Sequence, residues 1–188
     1  EASRMAPPPA LGAEPRPVGP PKERSMETWL RGIDRLNGWA AAVSSVAMVA
    51  IVGLIAWEVM LRTALGTSTL IADEYSAYLY VLLVFLGLGH TLRADGHIRV
   101  KVLLGRLGTR GRRALEAAAL LLALALCAFA LRYTVAMVQD VRALGMVSET
   151  PAQTPMWLPQ LAVPVGLGLF FLQLLAQLAR TLGPAPRP

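Results

Sequence analysis

The feature that most constrains this chain is a set of long stretches with no formal charge. No Asp, Glu, Lys or Arg occurs in residues 36–57, 75–92 or 150–179, which are runs of 22, 18 and 30 residues. A fourth run, residues 117–131, spans 15. An α-helix rises about 1.5 Å per residue and must cross about 30 Å of hydrocarbon, so about 20 apolar residues are needed. Three of the runs meet that length. The fourth meets it if Glu116 or Arg132 at its edges snorkels to a head-group region. Barrel strands would alternate apolar and polar residues, and these runs do not. In lipid, each backbone N–H and C=O needs a partner within its own segment, which a helix supplies. The predicted fold class is all-α: an integral membrane protein with four transmembrane helices.

The punctuation between the runs sets the organisation. Residues 1–25 carry Pro7, Pro8, Pro9, Pro15, Pro17, Pro20 and Pro21 among mixed charges, and are expected to form a disordered tail. They contain no apolar core with a small-residue cleavage site, so the first membrane helix is expected to serve as an uncleaved targeting signal. Residues 26–183 form the membrane domain, and 184–188 a short tail. Helices are expected at about 37–61, 73–92, 112–144 and 157–182. An amphipathic lead-in over 26–36 places Trp29, Ile33 and Leu36 at helical spacing. Trp39 and Trp57 sit near the two ends of the first helix, where aromatic rings favour the membrane–water interface. Pro164 falls in the first turns of the last helix and is positioned to kink it.

Lys and Arg fix the expected orientation. The N-terminal segment, the 93–113 connector and the C-terminal tail together hold 15 basic residues; the other side holds Arg62, Arg132 and Arg142. The basic side is the cytoplasmic one, giving N-in, C-in. The net charge of +6 is thereby read as topology, and no nucleic-acid partner is expected. Within the connector, residues 97–107 mix cations with apolar residues. They read as an interfacial segment at anionic head groups, His97, Arg99 and Lys101 among them.

Candidate chemistry is sparse. The helix centres carry no charge, whereas enzymes and transport cores place polar groups at membrane depth. His90 and His97 lie on one segment, unlike axial haem ligands on facing helices. The single Cys127 forms no internal disulfide. No metal-ligand cluster, Gly-rich phosphate loop or nucleophile elbow is present in the sequence, so no cofactor and no catalytic residue is expected. Glu58 and Arg62 are spaced four apart at a helix end, either as an exposed pair or as a fixed contact with another helix or subunit. Asp73 and Glu74 open the second helix, where acids complement the helix dipole. Arg132 is expected at a similar depth, as a candidate partner for Glu58 or Glu74. Gly87, Gly89, Gly166 and Gly168 thin two helices, for internal packing or for a partner.

Three stretches carry a resemblance to a known family. They are Trp57-Glu58-Val59-Met60-Leu61-Arg62; Asp73-Glu74-Tyr75 through Val84-Phe85-Leu86-Gly87 to Gly96-His97-Ile98-Arg99-Val100; and Thr154-Pro155-Met156-Trp157-Leu158-Pro159 with Ala162-Val163-Pro164-Val165-Gly166. With four helices at matching intervals, residues 30–182 resemble the small membrane subunit of tripartite ATP-independent periplasmic (TRAP) transporters, the DctQ-like family. One departure is Ala72 before Asp73-Glu74, where the family usually shows Trp. The resemblance implies a multi-pass protein of the bacterial inner membrane, not an enzyme. It implies a large membrane subunit and a periplasmic solute-binding protein as partners, and sodium-driven uptake of organic acids. The other functional classes considered are a membrane anchor for a redox enzyme and a stand-alone membrane enzyme.

Overall fold

The computed structural model describes residues 21–93 and 108–182. Among them the chain is helical, with no strand beyond an isolated bridge. Helix α1 runs Pro21–Leu65, α2 Ala72–Arg93, α3 Thr109–Ala143, α4 Trp157–Gln160 and α5 Ala162–Leu182. Four segments are long and apolar enough to cross a membrane: Thr28–Leu65, Ala72–Arg93, Gly111–Ala143 and Trp157–Leu182. The protein is thus an all-α membrane protein with four transmembrane helices.

The amphipathic lead-in is not a separate element. It continues into the first spanning helix, making α1 a single rod of 45 residues, about 67 Å long at 1.5 Å per residue. The last span is interrupted at Leu161, between α4 and α5. Pro164 has no N–H to give the Gln160 carbonyl, so the helical ladder is broken there. Helix α3 continues unbroken to Ala143 and stops in a Schellman-type cap. Gly145 takes φ +62, the Gly145 N–H donates to the Arg142 carbonyl at 3.2 Å, and the Met146 N–H to the Val141 carbonyl at 3.2 Å.

The helices alternate in direction, giving the bundle two ends. Loops 66–71 and 144–156 lie at one, here termed the loop end. The first turns of α3 and the last turns of α2 and α5 lie at the other, the terminal end. Helix α5 sits centrally and packs on α1, α2 and α3, while α1 pairs chiefly with α2. Against α3 the contact is apolar: Leu120, Leu124 and Cys127 meet Leu174. Against α2 the backbones approach closely. A methyl group on Gly166 would come within 2.5 Å of the Phe85 carbonyl; where α2 crosses α1, one on Gly87 would come within 3.3 Å of the Ser44 side chain. Small residues at such crossings supply the van der Waals contact that drives association in lipid. A methyl group on Gly168 would meet nothing within 4 Å, so no contact among the described residues requires its small size. Trp39, Val46, Val49 and Trp57 on α1 stay exposed, as lipid-facing side chains do.

Candidate functional site

Polar side chains gather at each end of the bundle. At the terminal end, Asn37 and Gln173 are fully buried. Each sits in an apolar run, where burial of an unpaired amide would cost several kcal/mol. They answer one another instead: Asn37 Nδ2 donates to Gln173 Oε1 at 3.0 Å and to the Ile33 carbonyl at 3.1 Å. Gln173 Nε2 faces Asp34 Oδ1 at 3.5 Å. The Asp34 carboxylate also accepts from Arg180 at 2.8 Å and lies 3.7 Å from Arg93. Helices α1, α2 and α5 are therefore joined through one cluster. Gly89 makes this possible, because a Cβ there would lie 1.8 Å from Asn37 Oδ1. That oxygen is buried and has no hydrogen-bond donor. The helix centres carry no charge, and this cluster adds two neutral amides near the terminal end. Counting formal charges passes over Asn and Gln, which carry the polar contact here.

At the loop end, two carboxylates each hold a loop. Glu58 is 5% exposed, so the exposed-pair reading of Glu58 and Arg62 does not hold. Arg62 Nε donates to Glu58 Oε1 at 2.9 Å, and Ser68 donates to the same oxygen. The Thr69 backbone N–H and hydroxyl donate to Oε2 at 3.2 and 2.6 Å. Glu58 thus closes the α1–α2 connection, stabilising a turn in which Leu70 adopts φ +60. Left-handed backbone at a non-glycine residue costs about 1–2 kcal/mol. The four bonds to one ionised acceptor offset that cost.

Glu74 does the same for the second loop. It accepts from Tyr78 one turn along α2 and from Thr150, 76 residues away. Tyr75 contacts Thr154 through their hydroxyls at 3.3 Å. The 144–156 loop is a tight pinch: Ser148 N–H donates to the Thr154 carbonyl at 2.9 Å and Met156 N–H to the Met146 carbonyl at 3.0 Å. Asp73 is exposed in the first turn of α2, as an acid at a helix start.

Arg132 joins neither acid. Their partners are Arg62 with Ser68 and Thr69, and Tyr78 with Thr150, while Arg132 is exposed on α3. The expected pairing is thereby corrected. Ser68 and Thr69 already satisfy Glu58, Tyr78 and Thr150 already satisfy Glu74, and α3 meets the rest of the bundle mainly through α4 and α5. His97, Arg99 and Lys101, with the interfacial segment, lie outside the described residues. Among the described residues no group of His, Cys, Asp or Glu has the makings of a metal site.

Four membrane-crossing helices, with polar groups bonded to one another at the two ends, define a multi-pass membrane protein. The family model for the DctQ component of tripartite ATP-independent periplasmic transporters matches residues 51–183. The chain belongs to that family of transporter components, which is not an enzyme family. No curated protein matches it.

Proposed function

We propose that this chain is the small, scaffolding membrane subunit of a secondary transporter in the bacterial inner membrane. It pairs with a large membrane subunit that carries the substrate and sodium sites, and a periplasmic binding protein delivers the solute. The cargo is an organic acid such as a carboxylate. The termini face the cytoplasm, so the loop end faces the periplasm. One observation carries the scaffold reading. Among the described residues, the buried polar side chains Asn37, Gln173 and Glu58 each bond to the chain's own helices or loops. A transport core keeps such groups available to cargo at membrane depth.

In this reading Glu58, Arg62, Asp73 and Glu74 shape the periplasmic surface nearest the binding protein. Arg132 reaches the same boundary on an exposed face. His97, Arg99 and Lys101 anchor the cytoplasmic side at acidic head groups. The test is co-expression with the large permease encoded beside this chain. The two proteins should co-purify, and sodium-dependent uptake should vanish when this chain is deleted. Uptake that persists at full rate without it would refute the assignment. Labelling of the 93–113 connector from the periplasm would refute the orientation alone.

A further inference from the structure

We propose that the cleft between the loop-end half of α3 and the α4–α5 segment holds one acidic phospholipid, its acyl chain between the helices and its phosphate on Arg142. The cleft encloses about 250 Å³. Its walls are largely apolar, Val135 and Val138 on one side and Leu161 and Pro164 on the other, with one neutral polar residue, Gln139, on the α3 wall and Arg142 and Trp157 at the mouth. Lower down, α3 and α5 are closed on each other by Leu120, Leu124, Cys127 and Leu174. Above that contact they part, leaving an apolar trough beside the interrupted turn at Leu161.

The chemistry of the mouth selects the occupant. The Arg142 guanidinium lies 5.3 Å from the Trp157 ring centroid. A stacked guanidinium is held in place, and its N–H groups still point outward in the plane. None of the ion pairs among the described residues gives Arg142 a carboxylate. Asp140 is two residues away, on the opposite side of the helix, and Glu74 is turned toward Tyr78 and Thr150. Trp157 opens the last span, which puts the cation at head-group level, where tryptophan rings reside. A fixed cation above an apolar trough fits an amphiphile with an anionic head. A soluble anion leaves the walls unused, and a zwitterionic lipid presents a cation of its own to Arg142. The inference concerns the leaflet at the loop end, whichever side that faces, so it stands or falls apart from the transporter assignment.

The test uses the full chain with Trp29, Trp39 and Trp57 changed to Phe, leaving Trp157 as the one indole. It is reconstituted in phosphatidylcholine vesicles containing either brominated phosphatidylglycerol or brominated phosphatidylcholine. Bromine in an acyl chain beside the ring quenches its fluorescence. The acidic lipid should reach half-quenching at about one-fifth the mole fraction of the neutral one, the enrichment expected for one interfacial cation. Arg142→Gln should bring the two lipids together, and Arg142→Lys should keep them apart. Equal quenching in the parent chain overturns the proposal. So does a preference that survives Arg142→Gln, or no quenching by either lipid, which would mean that protein fills the cleft. The parent comparison needs no change at Arg142, so a variant that misfolds does not remove the test.

Discussion

At the terminal end of the bundle, polar side chains reach from helix to helix; at the loop end, they reach from helix to loop. Asn37 and Gln173 face each other across α1 and α5, with Asp34 gathering Arg93 and Arg180 from two helices. Glu58 and Glu74 instead bind hydroxyls and a backbone amide of the connecting segments. The difference follows from surroundings. Between buried helices the Asn37 amide finds one partner on its own helix and one on another, the Gln173 side chain, and that second bond fixes the register of two helices. At the boundary the backbone turns and carries bare N–H groups, and an ionised carboxylate is the strongest acceptor for them. The first arrangement specifies how helices pack, and the second specifies the shape of the surface at the loop end.

Four tests by substitution bear on this contrast. The largest effect belongs to the helix crossings themselves. Gly166→Ala should cost about 3 kcal/mol, because the Phe85 backbone cannot yield as a side chain can. Gly168→Ala should leave the unfolding transition in detergent where it was, and equal damage from both would mean that the α2–α5 contact lies elsewhere. Next comes Glu58→Ala, expected to lose about 2 kcal/mol by stranding the donors of Arg62, Ser68 and Thr69. Hydrogen exchange should rise over 66–71 and stay low around Asn37. Gln173→Leu should cost about 1 kcal/mol by orphaning the Asn37 amide, and adding Asn37→Leu should recover most of it. A double variant worse than the single would show that the amide pair is not a unit. Smallest is Arg132→Gln, expected within about 0.5 kcal/mol of the parent. A loss as large as that of Glu58→Ala would restore an ion pair between Arg132 and one of the two acids.

Much of the fold was readable before any coordinates. The charge-free runs mark all four spans, because the bilayer penalises charge more sharply than any other environment does. Helix α1 outran its run because charged residues such as Asp34 and Arg35 do not end a helix that has left the hydrocarbon. The site was less legible. Asn37 and Gln173 were hidden by their neutrality, although two amides inside apolar runs are the signal that finds them. Glu58 was singled out by its spacing from Arg62, but its other partners come from a loop ten residues on. Glu74 depends on Thr150, and no local pattern reports a contact over 76 residues. Arg132 was matched to acids by depth alone, and depth says nothing of rotation about a helix axis.

The central place of α5 has a consequence for biogenesis. It leaves the ribosome after the other three spans, yet α1, α2 and α3 all lean on it. Until it inserts, the α1–α2 hairpin holds the Asn37 amide without its Gln173 partner, and the leucines of α3 lack their contact with Leu174. A quality-control protease that surveys the membrane would find its targets in that interval. Chains cut short before residue 162 should be degraded as orphans, however well their first three spans insert.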